Sequence, residues 1–226
     1  MKYSTGKQNI ITDEFQMIRL SEGYCPHKCS WCYEHIYAIP KQDYDLPEIV
    51  RRDVRISDMN ILASNDPLNK INKFYNLRVN GKVVYPHLIC GIDYRFLDQE
   101  IAYALKFNRF VKIHIAWDRS IKHYETVKNA IEMLINAGYK SKTISVFMIC
   151  NHPEISFDDC MQKFYLCHDM NVKINDCYFD NQYGRKEKIP IGWTINEIKT
   201  FRKLCRKHNQ ILNFGIDPEL RSEGMG

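Results

Sequence analysis

No stretch of the 226-residue chain is long and apolar enough to span a bilayer, which takes about 20 consecutive apolar residues. The opening residues, MKYSTGKQNIITDEF, contain no apolar signal core. A cytoplasmic location with no membrane partner is therefore expected. Internal repeats, low-complexity tracts and linkers are also missing, so residues 1–226 read as a single domain, with its core at about 15–210 and short extensions. Strong charge of either sign is absent. The net charge of +5 permits an anionic substrate, a nucleotide or nucleic acid, without requiring one. Paired cysteines are scarce as well. Nine cysteines, an odd number, with no secretion signal argue against a disulfide framework. Cys90, Cys150, Cys160, Cys167, Cys177 and Cys205 are scattered and form no CxxC pair, which argues against a second cluster site. Cys160 and Cys167 have the same-face spacing of a helix core. One tight group remains, at positions 25 to 32.

What is present is an ordinary globular composition, 45% hydrophobic and 12% aromatic, arranged as alternating strand and helix patterns. Strands are expected at 15–20, 59–64, 87–94, 111–117, 142–150 and 171–179. Helices are expected at 68–77, 98–107, 120–139, 156–170 and 194–210. Gly138 stands where a helix-terminating glycine belongs. Ser156 reads as an N-cap, and Thr194 with Glu197 as a capping box. Strands alternating with helices imply a parallel sheet with right-handed crossovers. Six units are too few for a closed eight-stranded barrel. The expected fold is therefore α/β, a partial (β/α)6 barrel of parallel strands with outer helices. Functional residues should then lie at the C-terminal ends of the strands.

The tight group reads GYCPHKCSWCYEH, with Cys25, Cys29 and Cys32 spaced C-x3-C-x2-C. A short loop of this kind can wrap three corners of a cubane cluster, leaving its fourth iron open to a small molecule. A zinc site normally wants four ligands. His27 or His35 could supply the fourth, so a non-catalytic zinc-binding or interaction protein stays open as an alternative.

The motif resembles that of the radical S-adenosylmethionine (radical SAM) superfamily, whose pattern is C-x3-C-x-aromatic-C, with Trp31 at the aromatic position. Plain core packing is the other reading of Trp31. The resemblance implies a [4Fe–4S] cluster on Cys25, Cys29 and Cys32, with S-adenosyl-L-methionine chelating the open iron. Reductive cleavage then yields a 5′-deoxyadenosyl radical that abstracts hydrogen from a substrate. An external electron donor such as flavodoxin or ferredoxin is implied too. The family also carries a Gly-Gly-Glu-Pro-like turn after its second strand, which receives the methionine ammonium. Ser64, Asn65 and Asp66, followed by Pro67, take those places here. They depart from the pattern in having side chains where glycine is usual and a shorter acid. Asp118 and Asn151, at the fourth and fifth strand ends, are the candidates for the adenosine moiety, among neighbours His114, Trp117, Ser120, His152 and Glu154.

The substrate is less legible. Asp93, Tyr94 and Arg95 follow the third strand and are the candidate catalytic residues, with Arg95 suited to a carboxylate or phosphate. The alternative is an Arg–Asp pair that ties loop to helix. Asn175, Asp176, Asp180 and Asn181 stand at the sixth strand and its end, and the polar insertion 178–190 reads as a lid or a surface loop. A nucleoside, nucleotide or nucleic-acid base is the favoured substrate class, with a peptide or small metabolite as the rival.

Overall fold

The computed structural model describes residues 8–179 and 190–215. The chain divides into two compact units, one comprising Met1–His114 with Asn136–Gly138, the other Ile115–Ile135 with Tyr139–Gly226.

In the first unit, β1 (Asn9–Ile11) turns back antiparallel onto β2 (Gln16–Ile18). A short strand β3 (Ser21–Glu22), the cysteine loop and a single turn α1 (Tyr33–Ile36) lead to β4 (Gln42–Asp43), which pairs antiparallel with β3. Next come β5 (Asp53–Ile56), a 3-10 turn at Ile61–Ala63 and α2 (Pro67–Asn72). A small hairpin, β6 (Arg78–Val79) and β7 (Lys82–Val83), precedes β8 (Tyr85–Leu88) and α3 (Gln99–Phe107). The sheet runs β1-β2-β5-β8, with β2, β5 and β8 parallel. Ile18, Val54, Ile56 and Leu88 bury one face of it, and Ile71 of α2 and Ala102 and Leu105 of α3 are buried with them. Burying each large aliphatic side chain contributes about 1.5–3 kcal/mol.

The second parallel strand corrects the expectation. It lies at Asp53–Ile56, while the stretch predicted as a strand, 59–64, holds the 3-10 turn. Val54 and Ile56 alternate with Asp53 and Arg55, so the two-residue period was there, masked by charge. Arg55 escapes the cost of its position by laying its guanidinium 3.7 Å from the Phe15 ring centroid.

In the second unit, β9 (His114–Ala116), β10 (Ser145–Cys150) and β11 (Lys173–Tyr178) form a sheet in the order β11-β10-β9. Strands β10 and β11 are parallel, in register from Ser145 opposite Lys173 to Cys150 opposite Tyr178. Helices α4 (Tyr124–Asn136), α5 (Phe157–Asp169) and α6 (Ile195–Phe214) occur where expected. Ser156 caps α5 by accepting from Asp159 N, and Thr194 with Glu197 completes the capping box of α6. Gly138 has φ of +98°, as a residue ending a helix in the left-handed region must. Cys160, Cys167 and Cys205 are fully buried core residues. Asp180, Asn181 and nearly all of the proposed lid lie outside the described residues.

The fold is α/β with parallel-strand sheets, and no described helix is long and apolar enough to cross a membrane. The edge of β11 is covered by α6. Asn209 accepts from Ile174 N at 2.9 Å and donates to Ile174 O at 2.7 Å, giving an edge strand the partner it would otherwise expose. Asn209→Ala should destabilise the protein by about 1–3 kcal/mol, read as a lower urea midpoint with an unchanged slope. A midpoint equal to that of the parent would show that water replaces the side chain at no cost.

Candidate functional site

The cysteine loop is fixed at its neck. Gly23 has φ of +73°, and a Cβ there would stand 2.3 Å from the Pro40 carbonyl oxygen, so only glycine fits. Its N–H donates to Glu34 Oε1 at 3.1 Å. Burial pushes the Glu34 carboxyl above its usual range. The loop closes on itself through Cys32 N to Cys29 O at 3.0 Å and Ile36 N to Cys32 O at 3.1 Å. Below it, buried Asp58 accepts from Leu20 N at 2.9 Å and Ser21 Oγ at 2.6 Å. This ties the chain entering the loop to the segment leaving β5.

Cys25, Cys29 and Cys32 are all half-buried and in no disulfide. Around them stands a polar group drawn from two strand ends. Asn60 follows β5 and donates through Nδ2 to Cys25 Sγ at 3.6 Å and to Asp93 Oδ2 at 3.1 Å. Asp93 follows β8 and accepts from Arg95 Nε and Nη2, each at 2.7 Å. His27, inside the loop, places Nε2 at 3.1 Å from Asp93 Oδ2 and Nδ1 at 3.3 Å from Arg95 Nη1. Burial works against the Arg95 charge, and the Asp93 carboxylate more than offsets it, so Arg95 is held above its ordinary range.

These residues suit a metal cluster. Burial pushes the Cys32 thiol up, only partly offset by the backbone N–H groups of His35 and Glu34. A bound cation would deprotonate a coordinating thiol in spite of that burial. Among the described residues no three His, Cys, Asp or Glu side chains converge on a point as ligands of a single ion do. A cubane asks instead for thiolates at separate corners, which a loop supplies by wrapping. Asn60 Oδ1 is buried beside Cys25 with no hydrogen-bond partner. Such an orphaned acceptor costs about 1–3 kcal/mol, which an incoming N–H group would relieve.

Trp31 lies half-exposed within the loop. Ser64, Asn65 and Asp66 follow the 3-10 turn rather than a strand. Ser64 Oγ donates to Ile61 O at 2.6 Å. Asn65 donates to Tyr24 OH at 2.9 Å, which brings it to the loop's flank. Asp66, at φ of +48°, caps α2 by accepting from Asn69 N. Asn65 and Asp66 line a cavity of about 290 Å³ with Asp43, Tyr44 and Lys70. Asp93, Tyr94 and Arg95 come together beside the cysteines, with Tyr94 buried under the Arg95 guanidinium. In the second unit, Asn151 is fully buried, and its Oδ1 accepts from Ile191 N at 2.8 Å. Asp118 is half-buried near Cys177, where its charge joins burial in holding that thiol up at about 12. Asn60 and Asp58 were missed because β5 was placed one segment too late. With the strand at 53–56, both are polar residues directly after a strand end.

No family model matches the chain, and no curated protein matches it. Among solved structures the fold is similar to that of coproporphyrinogen III oxidase (HemN) from Escherichia coli, a radical SAM enzyme, with a TM-score of 0.50 and 10% identity. The likeness covers 69% of this chain and 40% of that one, so the chain spans well under half the length of that enzyme. At this identity the likeness speaks for the fold.

Asp58 carries a pH signature. Burial raises its pKa from an ordinary 3.8 to about 6. Between those values the unfolded chain has released the proton and the folded chain still holds it. The contribution of Asp58 to stability should therefore fall as pH rises through this window, by about 2–3 kcal/mol in all, and be flat on either side. Asp58→Asn keeps an acceptor for Leu20 N and should remove that slope, measured by urea unfolding across the window. The same slope in both proteins would place the titration on another group.

Proposed function

We propose that this chain is a radical SAM enzyme in which Cys25, Cys29 and Cys32 hold a [4Fe–4S] cluster and leave one iron for S-adenosyl-L-methionine. The observation that carries this reading is positional. Cys25, in the loop that comes after β2 and β3, meets Asn60 and Asp93, which follow β5 and β8, at the C-terminal ends of the parallel strands of one sheet. That is where α/β proteins place their chemistry. The likeness to a radical SAM fold supports the same reading. When bound, the cluster and S-adenosylmethionine supply a carbon-centred radical that takes a hydrogen atom from the substrate.

The chain's own residues hold and shield. Gly23 and Glu34 set the loop's neck. Asn60 offers a buried acceptor beside Cys25, suited to an ammonium group. Asn65 and Asp66 flank the loop through Tyr24 and are proposed to serve the methionine end, with Trp31 covering the cysteines. Asp118 and Asn151 are proposed for the adenosine end. Asp93, Tyr94 and Arg95 border the substrate. Because both carboxylate oxygens of Asp93 are engaged by Arg95, that arginine acts first by orienting Asp93, while its Nη1 faces His27. A nucleoside or nucleotide suits the mild positive charge, and the reductant is proposed to be a flavodoxin or ferredoxin.

Anaerobically reconstituted protein should bind iron and sulfide in equal amounts, and Cys25→Ala, Cys29→Ala and Cys32→Ala should each abolish the visible absorbance. Reduced protein should cleave S-adenosylmethionine to 5′-deoxyadenosine slowly, and faster with its substrate. Zinc bound without sulfide would overturn the assignment and favour the non-catalytic alternative.

A further inference from the structure

The segment after β5 holds an asparagine in an unusual state. Asn60 occupies the N-cap position of the 3-10 turn Ile61–Ala63, yet its side chain makes no capping bond. Asparagine at such a position ordinarily turns its oxygen back onto the free N–H groups of the turn. Here the side chain points the other way and is 8% exposed. Both of its contacts are made by the same nitrogen, toward Cys25 Sγ and Asp93 Oδ2. Its oxygen is left without a partner. The local chain thus forgoes a cap and tolerates an orphaned acceptor in order to aim an N–H at a cysteine sulfur. The aim is enforced. Asp93 accepts one hydrogen of the amide and is itself clamped by the Arg95 fork and by Arg95 N at 3.2 Å.

We infer that Asn60 is a positioning residue that sets the reduction potential of the cluster through its hydrogen bond to Cys25. The inference rests on the cluster assignment above. Reduction transfers one electron from the external donor to the cluster, with no proton moved and no bond made or broken. The added negative charge spreads over the iron and its thiolates. An N–H dipole directed at one thiolate stabilises the reduced form more than the oxidised form and so raises the potential. Hydrogen bonds to the sulfurs are among the main determinants of such potentials. The half-buried site, screened poorly by water, strengthens the effect.

The test is a redox titration of reconstituted protein followed by electron paramagnetic resonance, comparing the parent with Asn60→Leu and Asn60→Ala. Both variants remove the donor, one nearly preserving volume and the other not. Both should retain iron and sulfide and show a lower midpoint potential by a similar amount, equivalent to about tenfold in the one-electron equilibrium, or about 59 mV. An unchanged midpoint would overturn the inference. So would a shift confined to Asn60→Ala, which marks water entering a cavity, or loss of iron from both variants, which makes Asn60 a builder of the loop. Failure of the parent itself to assemble a cluster would strike the cluster assignment instead, and is read from the same samples before any titration.

Discussion

A buried carboxylate must be fully paired or it destabilises the fold around it, and in this protein that requirement falls on Asp93. The residue is 8% exposed. It meets the demand by recruiting from three places: the Arg95 guanidinium two residues on, the Asn60 amide from the end of the neighbouring strand, and the His27 ring from within the cysteine loop. Each partner is held in turn. The ends of β5 and β8 and the loop after β3 thereby come together around one carboxylate. Polar groups so arranged cannot shift one at a time, which is what a site of stable geometry needs.

A different logic governs the second unit. Its sheet is covered by long helices whose apolar stripes do the work, and its thiols serve as small hydrophobes. Burial pushes Cys160 up to about 12 and raises Cys167 and Cys205 as well. Lys163 is the exception, almost fully buried and paired with Asp159 at 2.6 Å. Asp159 in turn joins α5 to the segment before α4 by accepting from Ile121 N. The contrast between the units is one of chemistry. Cys25, Cys29 and Cys32 are half-buried in the loop beside polar groups, and Cys150, Cys160, Cys167 and Cys205 are buried in the core.

Much of this could be read from the sequence. The amphipathic period of α4 and the caps of α5 and α6 are local signals, and each appears where its residues stand. The cysteine loop declared itself by spacing. What escaped was non-local. β5 is short and carries Asp53 and Arg55, whose charges are accommodated only through Phe15 and the strands beside it. Once that strand was misplaced, the turn after it was assigned to the strand, and Asn60 vanished from view among apolar neighbours. The two-residue strands β3, β4, β6 and β7 leave no periodic trace, since two residues cannot show a period. The role of Asp93 as a hub was half-legible. Its pairing with Arg95 could be guessed, but its partners His27 and Asn60 are far away in sequence.

The neck of the loop has a consequence for how this chain can vary. Every amino acid other than glycine begins with the same carbon, and at position 23 that carbon meets the backbone of Pro40 rather than a side chain that could swing aside. Trimming a neighbour cannot open the space, because the obstruction is a carbonyl that every residue at position 40 would carry. The position is closed to point substitution in the same absolute sense as a metal ligand, although Gly23 holds no metal. A library of variants screened for folding would therefore find position 23 intolerant, set by the path of the chain and not by any chemistry of its own.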